Sequence, residues 1–254
     1  CEAYATAHAR SPVCADAVEH WARAAICGGL GPSVVGVLER SAAERDAAGD
    51  ELAAARATLL IAQIRLDQRQ GALGSGLLQR AARTLENHAG SAERGHYAWM
   101  ASRLAVATGD LDSAYALADE ACAVGRARRD AEIECLGLVY RGHALIAGGQ
   151  VAEGLAQHEE AAALARHGKV CDWVAGWTLC SVLYAARHRC DWLRAAQYAD
   201  AFTEWSRASC MPAFPGTCQL HRAAVLGVQG ALERAVGEVR SAADLLAHAA
   251  PWAE

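Results

Sequence analysis

The sequence predicts an all-α fold, a right-handed superhelical solenoid of about six helix–turn–helix units with a period of ~40 residues. Three observations predict it. A small residue recurs at Gly36, Gly76, Ala114, Gly154, Ala195 and Ala235, at intervals of 40, 38, 40, 41 and 40 residues. Five residues before each lies a turn position, filled by Gly31, Gly71, Gly109, Gly149, Cys190 and Gly230. Between the turns apolar residues recur every three or four positions, the period of an amphipathic helix.

The units run over 14–48, 51–89, 92–128, 131–168, 171–209 and 217–249, in one continuous stack covering 1–254. Each is two antiparallel helices, A and B. In unit one the turn is Gly28-Gly-Leu-Gly-Pro-Ser, and in unit two it is Gly71-Ala-Leu-Gly-Ser-Gly. The polar stretch Glu86-Asn-His-Ala-Gly-Ser-Ala-Glu-Arg-Gly joins units two and three as a loop and a hinge. Unit three reads most clearly. Helix A runs from Tyr97 to Thr108, Gly109 ends it, an aspartate of Asp110-Leu-Asp caps the next, and helix B runs from Ser113 to Val124. Unit four repeats this with Leu136 to Ala147, Gly148-Gly149-Gln150, and Val151 to Arg166. Unit five holds four tryptophans, Trp173, Trp177, Trp192 and Trp205. An irregular segment, Cys210-Met-Pro-Ala-Phe-Pro-Gly, leads into unit six.

The recurring small residue has a steric reason: it lies where helix B crosses helix A. A second small position follows seven residues on at Ala43, Ala121, Ala161 and Ala242, broken by Arg83 and Phe202. A third lies twelve before the first at Ala24, Ser102, Gly142 and Ala223, broken by Ile64 and Leu183. This spacing of small residues around a turn glycine resembles the tetratricopeptide repeat (TPR) over nearly the whole chain. The period exceeds the usual ~34 of that family, and HEAT-type repeats share the longer one. Three runs resemble the repeat region of LuxR-type and MalT-like bacterial transcription regulators and of some multidomain nucleotide cyclases. They are Val174-Ala-Gly-Trp-Thr-Leu-Cys-Ser-Val-Leu, Asp191-Trp-Leu-Arg-Ala-Ala-Gln-Tyr and Phe214-Pro-Gly-Thr-Cys-Gln-Leu-His-Arg-Ala-Ala-Val-Leu. That resemblance implies a sensor or scaffold segment of a cytoplasmic signalling protein, with the A helices lining a concave groove.

Composition narrows the function. Lys and Arg total 24 against 29 Asp and Glu, a net charge of −5, which argues against a general phosphate-binding face. No run reaches the ~18 apolar residues of a membrane span, and no signal peptide opens the chain. The chain starts at Cys1 and ends at Pro251-Trp-Ala-Glu without a polar capping repeat, as expected of a piece of a larger protein. Ten cysteines without a CxxC pair fit reduced thiols packed as small hydrophobes.

The glycine runs follow helices and lack Gly-Lys-Ser or Gly-Lys-Thr, so they read as repeat turns rather than phosphate loops. The ten histidines make no His-Glu-x-x-His. The densest thiol–imidazole group, Cys171, Cys180, His188, Cys190, Cys210, Cys218 and His221, reads mainly as packed thiols, with a metal or redox site as the other reading. Glu159-Glu160 and Glu132 with Glu134 lie among arginines and read as solvated side chains. No catalytic residues, metal or cofactor are expected.

Trp173, Trp177 and Tyr184 form a stripe on helix A of unit five, either a groove ridge or filling between repeats. His221 and Arg222 follow on unit six, where Arg222 either holds a partner carboxylate or bridges helices. The function expected is non-enzymatic: a protein or peptide partner held in the concave groove, or alternatively a small-molecule effector enclosed by the superhelix. Direct nucleic-acid or membrane binding is not expected of this segment, and homo-oligomerisation is left open.

Overall fold

The computed structural model describes residues 12–27, 31–209 and 215–249, with side chains for 18–26, 31–209 and 218–244. Among the described residues there are twelve α-helices and no strand. They are α1 (Pro12–Cys27), α2 (Gly31–Ala47), α3 (Glu51–Asp67), α4 (Gly71–Leu85), α5 (Ala92–Thr108) and α6 (Leu111–Arg128). Then follow α7 (Ala131–Ala147), α8 (Val151–Arg166), α9 (Asp172–His188), α10 (Trp192–Ala208), α11 (Pro215–Val228) and α12 (Leu232–Ala249). The turn residues 28–30, the irregular connection at 210–214, the chain end at 251–254 and Cys1 lie outside the described residues.

The chain divides into two compact units, 1–101 and 102–254, with the boundary inside α5. In the first, successive helices from α1 to α4 pack on one another, and α1 also touches α3. Val18, Ala22, Val34, Leu38, Ile61 and Ile64 form its core. A polar ladder crosses this unit. Arg56 on α3 reaches Glu19 on α1 at 3.2 Å and Glu93 at the start of α5 at 2.6 Å. Glu93 is buried, so Arg56 supplies the counter-charge that makes its burial tolerable. The predicted hinge loop is therefore shorter than its composition implied. Its last four residues begin α5, and Glu93 is drawn inward by Arg56.

In the second unit the same neighbour packing runs from α6 to α12, and the odd helices also touch in sequence, α7 on α9 and α9 on α11. Leu179, Val182, Leu183, Tyr198, Phe202 and Val225 dominate its core. Aspartates start several helices by accepting a backbone N–H in the first turn: Asp50 from Ala53, Asp110 from Ser113, Asp130 from Ile133 and Asp191 from Arg194, each at 3.2 Å.

The turns set the register. At the turns within hairpins, left-handed residues occur at Arg69, Gly109, Gly149, Cys190 and Gly230, at intervals of 40, 40, 41 and 40; Gly49, Arg129 and Gly168 are left-handed in the connections between hairpins. The turn residue of the second hairpin is thus Arg69 (φ 59°), not Gly71, which is the first residue of α4. This moves the small positions of that hairpin by two residues. Gly74 is buried, whereas Gly76 is exposed with open space around it. Ala81 and Ala62, 1% and 0% exposed, take the places assigned to Arg83 and Ile64, so both apparent breaks disappear. In the first hairpin Gly36 is likewise exposed, and Val34 fills the core position 40 residues before Gly74. Glycine misled because it is the usual left-handed residue; here an arginine carries the strain, at a cost of ~1–2 kcal/mol.

The steric reason for the small positions is visible in the second unit. A Cβ on Gly142 would lie 2.8 Å from the Gly154 carbonyl oxygen, and one on Gly154 would lie 2.7 Å from that of Gly142. In the preceding hairpin Ser102 Oγ donates to the Ala114 carbonyl at 2.7 Å, the same pair of positions.

Candidate functional site

The predicted stripe lies on one face of α9. Trp173 and Trp177, one helical turn apart, stack with ring centroids 5.6 Å apart and planes 24° from parallel. The Arg103 guanidinium, brought by α5, sits over the Trp177 ring at 4.7 Å from its centroid. These two residues are 74 positions apart, with α6, α7 and α8 between them in the chain. Farther along α9, Tyr184 is 48% exposed, packs on His188 at 4.1 Å, and meets the His221 ring of α11 edge-on at 5.6 Å.

Trp173, Trp177, Tyr184 and His221 are therefore brought onto the side of the second unit formed by odd helices. Arg222 is not. It pairs with Glu238 of α12 at 2.9 Å and bridges the two helices of the last hairpin. The tryptophans of α10 turn elsewhere. Trp205 fits against Gly176, where a Cβ would lie 2.5 Å from the indole, and packs on Phe202 at 5.1 Å in the core.

Between Trp177 and Tyr184 the same face carries Cys180. It meets Cys218, fully buried on α11, and His221 one turn farther along that helix. His221 is 7% exposed, and its Nδ1 has no hydrogen-bond partner. The Cys218 thiol donating to Cys180, reinforced by His221, brings the Cys180 pKa down although the sulfur is partly withdrawn from solvent. Burial drives Cys218 the other way. Of the seven residues that the sequence groups, the structure brings together Cys180, Cys218 and His221; Cys171 and Cys190 are exposed, His188 packs on Tyr184, and Cys210 lies outside the described residues. Among the described residues no group of three or more His, Cys, Asp or Glu is arranged to hold a metal ion.

A second polar cluster, missed by sequence reasoning, lies between α7 and α8. The His143 and His158 rings meet edge-on at 4.8 Å, and Tyr140 meets His143 at 5.2 Å. His158 is 1% exposed, with Nε2 3.2 Å from the Val139 carbonyl oxygen. It occupies the space that Gly142 leaves by lacking a Cβ. Burial lowers the pKa of His143 to about 3 and of His158 to about 4. Both rings are therefore neutral at pH 7 and serve as packing. The glycine beside a histidine was the available signal, but sequence spacing does not pair Gly142 with His158.

The acidic pairs are held by neighbours. Glu134 accepts from Arg126 at 2.7 Å, Glu160 lies 3.8 Å from the same arginine, Glu159 lies 3.3 Å from Arg194, and Glu132 accepts the Cys171 N–H at 3.1 Å. No described helix is long and apolar enough to cross a membrane. No family model matches the chain, and no curated protein sequence matches it.

Proposed function

We propose that the chain is a TPR-like solenoid of helical hairpins, a non-enzymatic interaction module that binds a peptide segment of a protein partner. The odd helices of its second unit form the binding face, and the reading places them on the concave side of the stack. The observation that carries it is the aromatic strip on α9, where Trp173 stacks on Trp177 below Arg103 and an exposed Tyr184 continues the face. Stacked rings give large rigid contact area at small entropic cost, and aromatic residues dominate interface energetics. The recurrence of left-handed residues at the turns within hairpins every 40 or 41 positions and the contacts of α1 with α3, α7 with α9 and α9 with α11 support the solenoid. The resemblance to the repeat region of LuxR-type regulators makes the host a bacterial cytoplasmic signalling protein. Partner binding would act by favouring one arrangement of the hairpins.

The test is peptide selection from a random displayed library on the intact chain. Selected peptides should lose at least ~10-fold in affinity for Trp173→Ala and Tyr184→Ala, at unchanged helicity. Retained affinity in both variants removes the proposed face. Failure to enrich any peptide, with thermal stabilisation by a metabolite instead, moves the reading to a small-molecule effector site.

A further inference from the structure

We propose that Cys180 and Cys218 are a peroxide-responsive dithiol, with Cys180 the attacking sulfur, Cys218 the resolving one and His221 the group that takes the Cys180 proton. This inference stands whether or not the aromatic face binds a peptide.

Four observations carry it. The two cysteines are free and come from different helices in contact, α9 and α11, with Cys180 packed against the core cluster that holds Cys218. His221 lies on the same face of α11 as Cys218, one turn on, so one helix presents both the resolving thiol and the base. Its Nδ1 is buried without a hydrogen-bond partner, an expensive arrangement for a purely structural imidazole. Cys180 retains partial exposure beside the exposed Tyr184, so a molecule as small as hydrogen peroxide has a short path to it. The environment agrees with these roles. Contact with Cys218 and His221 lowers the Cys180 pKa, whereas burial raises those of Cys122 and Cys135 to about 11 and about 12.

His221 holds the proton of Cys180, and the thiolate attacks one oxygen of hydrogen peroxide. The O–O bond breaks, a sulfenic acid forms on Cys180, and the departing hydroxide takes the proton from His221 to leave as water. Cys218 then attacks the Cys180 sulfur. The S–O bond breaks, the S–S bond forms, and the second hydroxide leaves as water with the Cys218 proton. Two thiols lose two electrons, and one peroxide becomes two waters. The product ties α9 to α11 beneath Tyr184, and a dithiol reductant reverses it.

The test is disulfide mapping of the intact chain. Reduced protein is treated with hydrogen peroxide, blocked with an alkylating agent and digested. The expected result is a linked Cys180–Cys218 peptide pair that forms before any change at the more exposed Cys171 or Cys190 and disappears on reduction. In Cys218→Ser, the Cys180 peptide should instead gain one oxygen. In His221→Asn, the rate of linkage should fall by roughly tenfold or more. Oxidation of Cys171 or Cys190 first, with Cys180 and Cys218 still alkylated separately, overturns the proposal without recourse to any variant. An unchanged rate in His221→Asn overturns the role given to the histidine.

Discussion

Gly142 and Gly154 face each other across the hairpin of α7 and α8, each occupying space that a Cβ on the other would need. The same crossing seats the His158 ring against Gly142. Gly142→Ala should therefore destabilise the chain by about 2–3 kcal/mol, as expected for overpacking a close-packed site. Gly76→Ala, at an exposed helical glycine with open space around it, should stabilise by up to ~1 kcal/mol. Urea titration of the two variants should move in opposite directions. A loss of stability in Gly76→Ala would show that Gly76, not Gly74, is at the crossing.

Cys190 occupies a left-handed turn position at φ 58° and is exposed. Replacing it with glycine removes the backbone penalty without emptying a core site. The gain should be about 0.5–1 kcal/mol, after allowing for the greater freedom of glycine in the unfolded chain. Gly109→Ala, at φ 80°, should lose a similar amount. Thermal melts of both variants check the turn register.

Arg56→Ala should leave Glu93 buried without its counter-charge. Arg56 is itself 35% exposed, so solvent screens the loss, and the expected cost is about 1–2 kcal/mol. Adding Glu93→Gln should recover part of it. A double-mutant cycle by urea denaturation measures the coupling, and a value near zero would remove the ladder as a stabilising feature.

His143 and His158 have folded pKa values of about 3 and about 4, below the ~6.5 of an unfolded histidine. The unfolded chain therefore takes up protons first as pH falls. The contribution of these groups is fully present above pH ~6.5 and declines through the acid range toward their folded values, by up to ~1.4 kcal/mol per pH unit for each ring. Unfolding midpoints at pH 7, 6 and 5 should fall steadily. In His158→Gln the decline should be shallower, although the variant starts from lower stability. A parallel decline would mean that His158 titrates normally in the folded chain.

The all-helical class was legible in the apolar period, and the alternation of turns and helices in the glycines and aspartates. Gly109 ends α5 and Asp110 caps α6 as read from the sequence alone. The register of the first two hairpins was not, because Gly36 and Gly76 advertise a crossing that Val34 and Gly74 occupy. Local propensity marks glycine as special without saying whether the need is conformational or steric. For the candidate site, the stacking of Trp173 on Trp177 follows from their spacing on a helix. The arrival of Arg103 from two hairpins away does not, since it depends on how α5, α7 and α9 pack. Arg222 shows the converse: two roles fit its chemistry, and only the place of Glu238 on α12 reveals the ion pair it makes.

The stacked indoles of α9 also make the proposed face self-reporting. Two such rings 5.6 Å apart couple their electronic transitions, so their near-ultraviolet circular dichroism depends on mutual angle and separation. A guanidinium lying over one of them shifts its emission and quenching. Anything that inserts between the rings or displaces Arg103 would change an optical signal already built into the chain, and ligands can be screened without a dye or label.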